Sequence, residues 1–134
     1  MRKSLICGLM LATAVMFVVS GCSLTWGKRL EFNGGELYYT SSVTMEEANR
    51  LGDYLVEAGF FDGNEKTVQL TKAGSTYEFR MVIKKGLDED EEYIAIAKIF
   101  AEELSRDVFN GDQVDIHFCD DQLKTLRVIV ALKY

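Results

Sequence analysis

Arg29-Leu30-Glu31-Phe32 and Glu36-Leu37-Tyr38-Tyr39-Thr40 alternate apolar with polar positions around Asn33-Gly34-Gly35. Period-two alternation on both sides of Asn-Gly predicts a β-hairpin. The period then changes. Ala48, Leu51, Leu55 and Ala58 recur at helical spacing, preceded by Thr44 and Glu47 and followed by Gly59. Threonine with glutamate three places on is a capping box, Val43 and Ala48 supply its hydrophobic staple, and glycine suits the C′ position. A helix is therefore expected from Thr44 to Gly59.

Phe60 to Asn64 reads as a turn with two aromatic anchors. Strands are expected over Thr67–Thr71 and Thr76–Lys84, separated by Ala73-Gly74-Ser75. Tyr77, Phe79, Met81 and Ile83 would lie on one face of the second strand. Tyr93, Ile96, Ala97, Phe100, Leu104 and Val108 mark a second helix from about Asp90 to Val108. The turn Asn110-Gly111-Asp112 leads to strands Val114–Cys119 and Thr125–Lys133, joined by a turn over Asp120–Lys124.

A helix, an aromatic-Asp/Asn-Gly turn and two strands thus occur twice. Phe61-Asp62-Gly63 matches Phe109-Asn110-Gly111, and Val68 and Leu70 match Val114 and Ile116. The expected fold class is α+β: an antiparallel sheet with two helices on one face, a duplicated helix-strand-strand unit, ferredoxin-like or related, extended by the N-terminal hairpin.

Upstream of the hairpin the pattern is different. Arg2 and Lys3 precede an uncharged, mostly apolar run from Leu5 to Val19, followed by Ser20, Gly21 and Cys22. A basic start, a short apolar middle and small residues before a cysteine describe an export signal. The run is fifteen residues long, short of the ~20 needed to span a bilayer. The stretch Val19-Ser20-Gly21-Cys22 resembles the lipobox of bacterial prolipoproteins, with valine where leucine is commoner. That resemblance implies a diacylglyceryl thioether on Cys22, cleavage just before it and anchorage to a membrane. It also implies a division into a signal peptide (1–21), a lipidated tether (22–29) and one α+β domain (30–134). Ser23 implies the outer membrane, facing the periplasm, in a Gram-negative host. In a Gram-positive host the address is the outer leaflet of the cell membrane. Trp26, four residues past the anchor, would suit a membrane interface.

From Tyr39 through Val130 the chain also resembles a small uncharacterised domain of bacterial envelope proteins. Gly59-Phe60-Phe61-Asp62-Gly63, Val68-Gln69-Leu70 and His117-Phe118-Cys119 carry that likeness, which implies a single folded unit and no particular chemistry.

Composition narrows the partners. Without the leader, 113 residues remain, with 13 basic against 21 acidic side chains and a charge of −8. That surface repels nucleic acid, and none is expected as a partner. Of three cysteines, Cys7 falls in the leader and Cys22 is expected from the lipobox resemblance to carry lipid, which would leave Cys119 as the one free thiol of the mature domain.

Asp115, His117, Cys119 and Asp121 alternate along one predicted strand, so all four would share a face. A Cys-His pair is what thiol catalysis or a soft metal site uses. Yet this is the sole histidine, further ligands would have to be carboxylates, and neither an oxyanion loop nor a nucleophile elbow accompanies the pair. A polar sheet face is the simpler reading. The acidic run Asp88–Glu92 fits a helix N-terminus, with Asp88 and Glu91 as a capping pair, better than a spaced calcium loop. No phosphate loop or dinucleotide fingerprint is present, so neither cofactor nor metal is expected. Tyr38, Tyr39, Phe60 and Phe61 would line a ligand pocket or, more simply, the core.

Three functional classes remain. The first is a non-catalytic binding or structural module, engaging an envelope protein or a second copy through the sheet face opposite the helices. That face is expected to mix Val82, Ile129 and Ala131 with Gln69, Glu78, Arg80, Lys84, His117 and Arg127, and the last strand's edge is expected to be free. The second is a small thiol-dependent or metal-assisted enzyme built on His117 and Cys119. The third is a carrier of a small apolar ligand.

Overall fold

The computed structural model describes residues 26–131. The leader and Cys22 lie outside the described residues, as does the end of the last predicted strand. Among the described residues no helix is long and apolar enough to cross a membrane.

Among the described residues, six strands and two α-helices follow in the order β1 (Lys28–Phe32), β2 (Gly35–Tyr39), α1 (Met45–Glu57), β3 (Lys66–Ala73), β4 (Thr76–Val82), α2 (Glu91–Asp107), β5 (Val114–Cys119) and β6 (Thr125–Val130). Local chemistry sets the boundaries. Asn33 and Gly34 turn the first hairpin at φ 46° and 86°, the left-handed pair a two-residue type I′ turn requires. Thr44 caps α1: its Oγ1 accepts from Glu47 N at 3.0 Å, and Glu47 Oε1 accepts from Thr44 N at 2.8 Å. Asp90, not Asp88, caps α2, accepting from the Glu92 and Tyr93 amides. Glu91 and Glu92 then complement the positive end of the helix dipole.

The sheet order is β1-β2-β3-β4-β5-β6. The class is α+β as expected, but the sheet is mixed, because β2 and β3 run parallel, as do β4 and β5. Each helix is the crossover that joins a parallel pair, and parallel neighbours need such a connection. This departs from the ferredoxin-like expectation, whose split βαβ motif places another strand between the two joined by a helix. Leu37, Val68, Leu70, Phe79, Met81, Ile116 and Phe118 share one sheet face by register, and the buried stripes of both helices belong to the same core. With both helices on one face, a crossover from upward strands and one from downward strands must have opposite hands. One of them is therefore of the rare left-handed kind. Two copies of one unit would share a hand, so the helix-strand-strand repeat is one of pattern and not of topology.

α1 lies over β1 and β2, and α2 over β5 and β6. The helices meet at one end, where Arg50 Nε donates to Val108 O at 3.0 Å. The middle of the sheet is roofed by aromatic rings instead. Phe79 projects from β4 and meets Phe60 and Phe100 edge-on, with centroids 5.8 and 5.5 Å away, and those two rings stack on each other at 5.8 Å.

The folded unit starts earlier than residue 30. Lys28 and Arg29 already belong to β1, and Trp26 packs edge-on against Tyr38 at 5.2 Å. Gln69 Nε2 also donates to the Trp26 carbonyl at 2.8 Å. The indole expected at a membrane interface thus covers part of the sheet face opposite the helices.

Candidate functional site

β4 and β5 carry alternating polar residues on the helix-free face. In register, Glu78 lies beside Asp115 and Arg80 beside His117. His117 Nδ1 is 3.2 Å from Arg80 Nη1 and 3.0 Å from Thr125 Oγ1 of β6. Because guanidinium can only donate, Nδ1 holds the lone pair and the ring proton sits on Nε2. Nε2 faces Glu78 Oε1 at 3.9 Å. Arg80 also donates through Nη2 to the Leu123 carbonyl at 2.6 Å. Leu123 is buried at φ 62° in the β5–β6 turn, a conformation few branched side chains adopt. Asp120 accepts the Gln122 and Lys124 amides in that turn, which hold its carboxyl below the usual range. The cluster ties β4, β5 and the start of β6 together.

Its electrostatics favour a neutral ring. Burial lowers the His117 pKa; Glu78 opposes that shift, Arg80 adds to it and Asp115 opposes it. A group whose pKa is depressed on folding contributes stability above its unfolded value, lost as pH falls through the folded value. The denaturant midpoint is therefore expected to be steady above about pH 6.5 and to decline as the solution is acidified below it. His117→Gln, whose amide oxygen can still accept from Arg80, is expected to flatten that slope. With a single histidine in the chain, a slope that survives the substitution would disprove its assignment.

The thiol is placed differently. Cys119 is fully buried, and its Sγ donates to the His117 carbonyl at 3.6 Å. Burial pushes its pKa up, whereas a catalytic thiol needs its pKa lowered and an approach for substrate. Asp121 falls in the turn after β5 and does not join the row on that strand. Among the described residues, no three His, Cys, Asp or Glu side chains are placed to hold a metal ion.

The expected interface face needs correcting at β6. Ile129 is buried in the core, and Arg127 reaches across the helix side to donate to the Asp88 carbonyl at 2.5 Å. Val128 and Val130 are the residues that share the open face, opposite His117 and Asp115. They are 44% and 51% exposed, and Leu126, in the bulge opposite Phe118 and Cys119, is 46% exposed. A strand with apolar residues of both parities leaves its orientation undetermined by pattern, and a one-residue shift reverses every side chain.

The four aromatics do not line one pocket, although Phe60 and Phe61 touch edge-on at 5.5 Å. Tyr38 lies under Trp26, and Tyr39 and Phe61 are buried in the core. Phe60 lines a groove of about 560 Å³ between α2 and the α1–β3 connection, with Met81, Tyr93, Ile96, Phe100 and Phe118. The groove lies beside the aromatic roof, on the α2 side of Phe60. Phe60 was legible as a pocket-lining candidate, but Met81, Tyr93, Ile96 and Phe100 read as core positions, because the placement of the helices decides which of them border the gap.

The model of the AF_1994_N family N-terminal domain matches residues 29–130, from within β1 to the last residue of β6. No curated protein and no solved structure matches the chain. Because the matched span takes in nearly the whole sheet and most of the sequence, the chain belongs to the AF_1994_N family.

Proposed function

We propose that the chain is a lipid-anchored protein of the bacterial cell envelope whose domain is a non-catalytic binding module. The leader pattern and Cys22 support the anchor, and a diacylglyceryl group supplies the two chains that stable membrane attachment takes. The observation that carries the binding reading is β6: an edge strand with Leu126, Val128 and Val130 exposed and no acidic residue from Thr125 to Ala131. A strand edge that is unpaired among the described residues, beside an aliphatic row, offers main-chain hydrogen bonds and apolar contacts together. The buried thiol weighs against the enzyme alternative.

Val128→Lys/Val130→Lys tests the binding reading. Both side chains are exposed, so the unfolding midpoint should hardly move. Complexes of the full-length protein, resolved by native electrophoresis of gently solubilised membranes, should be lost. A stable variant that keeps every complex would overturn the reading.

The groove beside Phe60 favours a second reading, a carrier of a small apolar ligand, since its volume lies within the roughly 300–1,000 Å³ of ligand sites. It opens between exposed Ile96 and Ile99, with Lys66 and Glu103 also in its lining.

A further inference from the structure

We infer that the occupant of the β6 edge is a second copy of this chain, paired antiparallel to the first. The inference rests on the binding-module reading and names its partner.

Among the described residues the sheet has two edges, β1 and β6, and they differ. β1 carries Lys28, Arg29 and Glu31, and Arg29 bridges Glu31 at 2.5 Å and Glu36 at 2.8 Å. Charged side chains on an edge strand resist the addition of another strand. β6 has no such protection. Its one cation, Arg127, is turned to the helix side and bonded to the Asp88 carbonyl. In a chain with 21 acidic residues, the stretch from Thr125 to Ala131 is one where two copies can approach without opposing carboxylates.

Symmetry selects the pairing. β6 against β1 of another copy would leave a β6 and a β1 free and build an open fibre, whereas β6 against β6 closes. A two-fold axis normal to the sheet keeps both helix-free faces on the same side. Directly opposed residues must share a face, so the axis passes through a residue and not between two. Centred on Val128, Val128 opposes Val128 of the second copy. Centred on Ile129, Val128 opposes Val130. Both registers put β-branched residues against each other, the pairs a sheet favours.

An edge-to-edge contact is smaller than the roughly 800 Å² per partner of a standard interface. The dimer should therefore be sparse in dilute solution and populated where anchored copies are held in one plane, which raises their effective concentration. Because both copies are acidic, added salt should strengthen it.

The test uses the full-length chain in membranes of the expressing host, treated with a short bismaleimide. Val128→Cys is expected to yield an adduct of twice the chain's mass, at least tenfold above both the unsubstituted chain and Lys28→Cys on the β1 edge. Adding Val130→Lys should abolish it. A heavier adduct containing a different protein would overturn the second-copy inference and leave the binding-module reading standing. Monomer alone at Val128→Cys would count against both, and equal dimer from Lys28→Cys would show that β6 is not the contact.

Discussion

Phe79→Ala is expected to lower the unfolding free energy by about 3–5 kcal/mol, the usual cost of truncating a buried phenylalanine. Phe79 is fully buried and lies in register between Leu70 of β3 and Ile116 of β5. The helices cover the two ends of the sheet, so its centre depends on the rings of Phe60, Phe79 and Phe100. Removing the Phe79 ring deletes two edge-on contacts and leaves a void beneath Phe60 and Phe100. Domains of this kind are stable by only about 5–15 kcal/mol in all, so one substitution removes a large share. Phe79→Leu, which keeps much of the volume, should cost markedly less. Denaturant titration measures both, and a loss below about 1 kcal/mol for alanine would show that the roof is not what holds the centre.

Gly52→Ala is expected to destabilise by about 1–3 kcal/mol, the range for overpacking, although helix propensity alone favours alanine by about 1 kcal/mol. Gly52 is buried in α1, and a Cβ there would stand 2.2 Å from the Phe32 ring. Phe32 cannot retreat freely, because it stacks on Phe61 at 6.1 Å and Phe61 itself packs against Gly35. The absence of one methyl group lets the first hairpin lie against α1. Shortening the opposing residue should reverse the effect: Gly52→Ala in a Phe32→Leu background should cost little or stabilise. Thermal unfolding of the four proteins closes the cycle, and additive losses would mean that the two positions do not touch in solution.

Much of this fold was legible from short-range signals. Asn33-Gly34, the Thr44–Glu47 box and Gly59 each act within a few residues, and each lies where its chemistry demands. Strand neighbours were less legible. Period-two alternation says which face a residue occupies and nothing about which strand lies alongside, so the two parallel pairs and the opposite hands of their crossovers could not be read from it. β6 failed for a related reason: Val128 and Ile129 are equally apolar, and the bulge opposite Phe118 and Cys119 decides which is buried. His117 was legible as a polar residue on an outward position. Its lone pair is committed to Arg80, which lies 37 residues earlier, and only the register of β4 on β5 brings the two together. Cys119 shares that outward parity yet is fully covered, because burial at a strand end depends on the turn that follows.

Weak pairing along β6 matters if the domain is held at a surface, and the claim beneath the functional proposal is that Cys22 holds it there. Mass spectrometry of the N-terminal peptide, prepared from protein extracted from native membranes, measures this directly. The expected peptide begins at Cys22 and carries the added mass of a diacylglyceryl thioether, with or without a further acyl group on its amine. A peptide that retains residues 1–21, or one that begins at Cys22 with an unmodified thiol, would contradict the account.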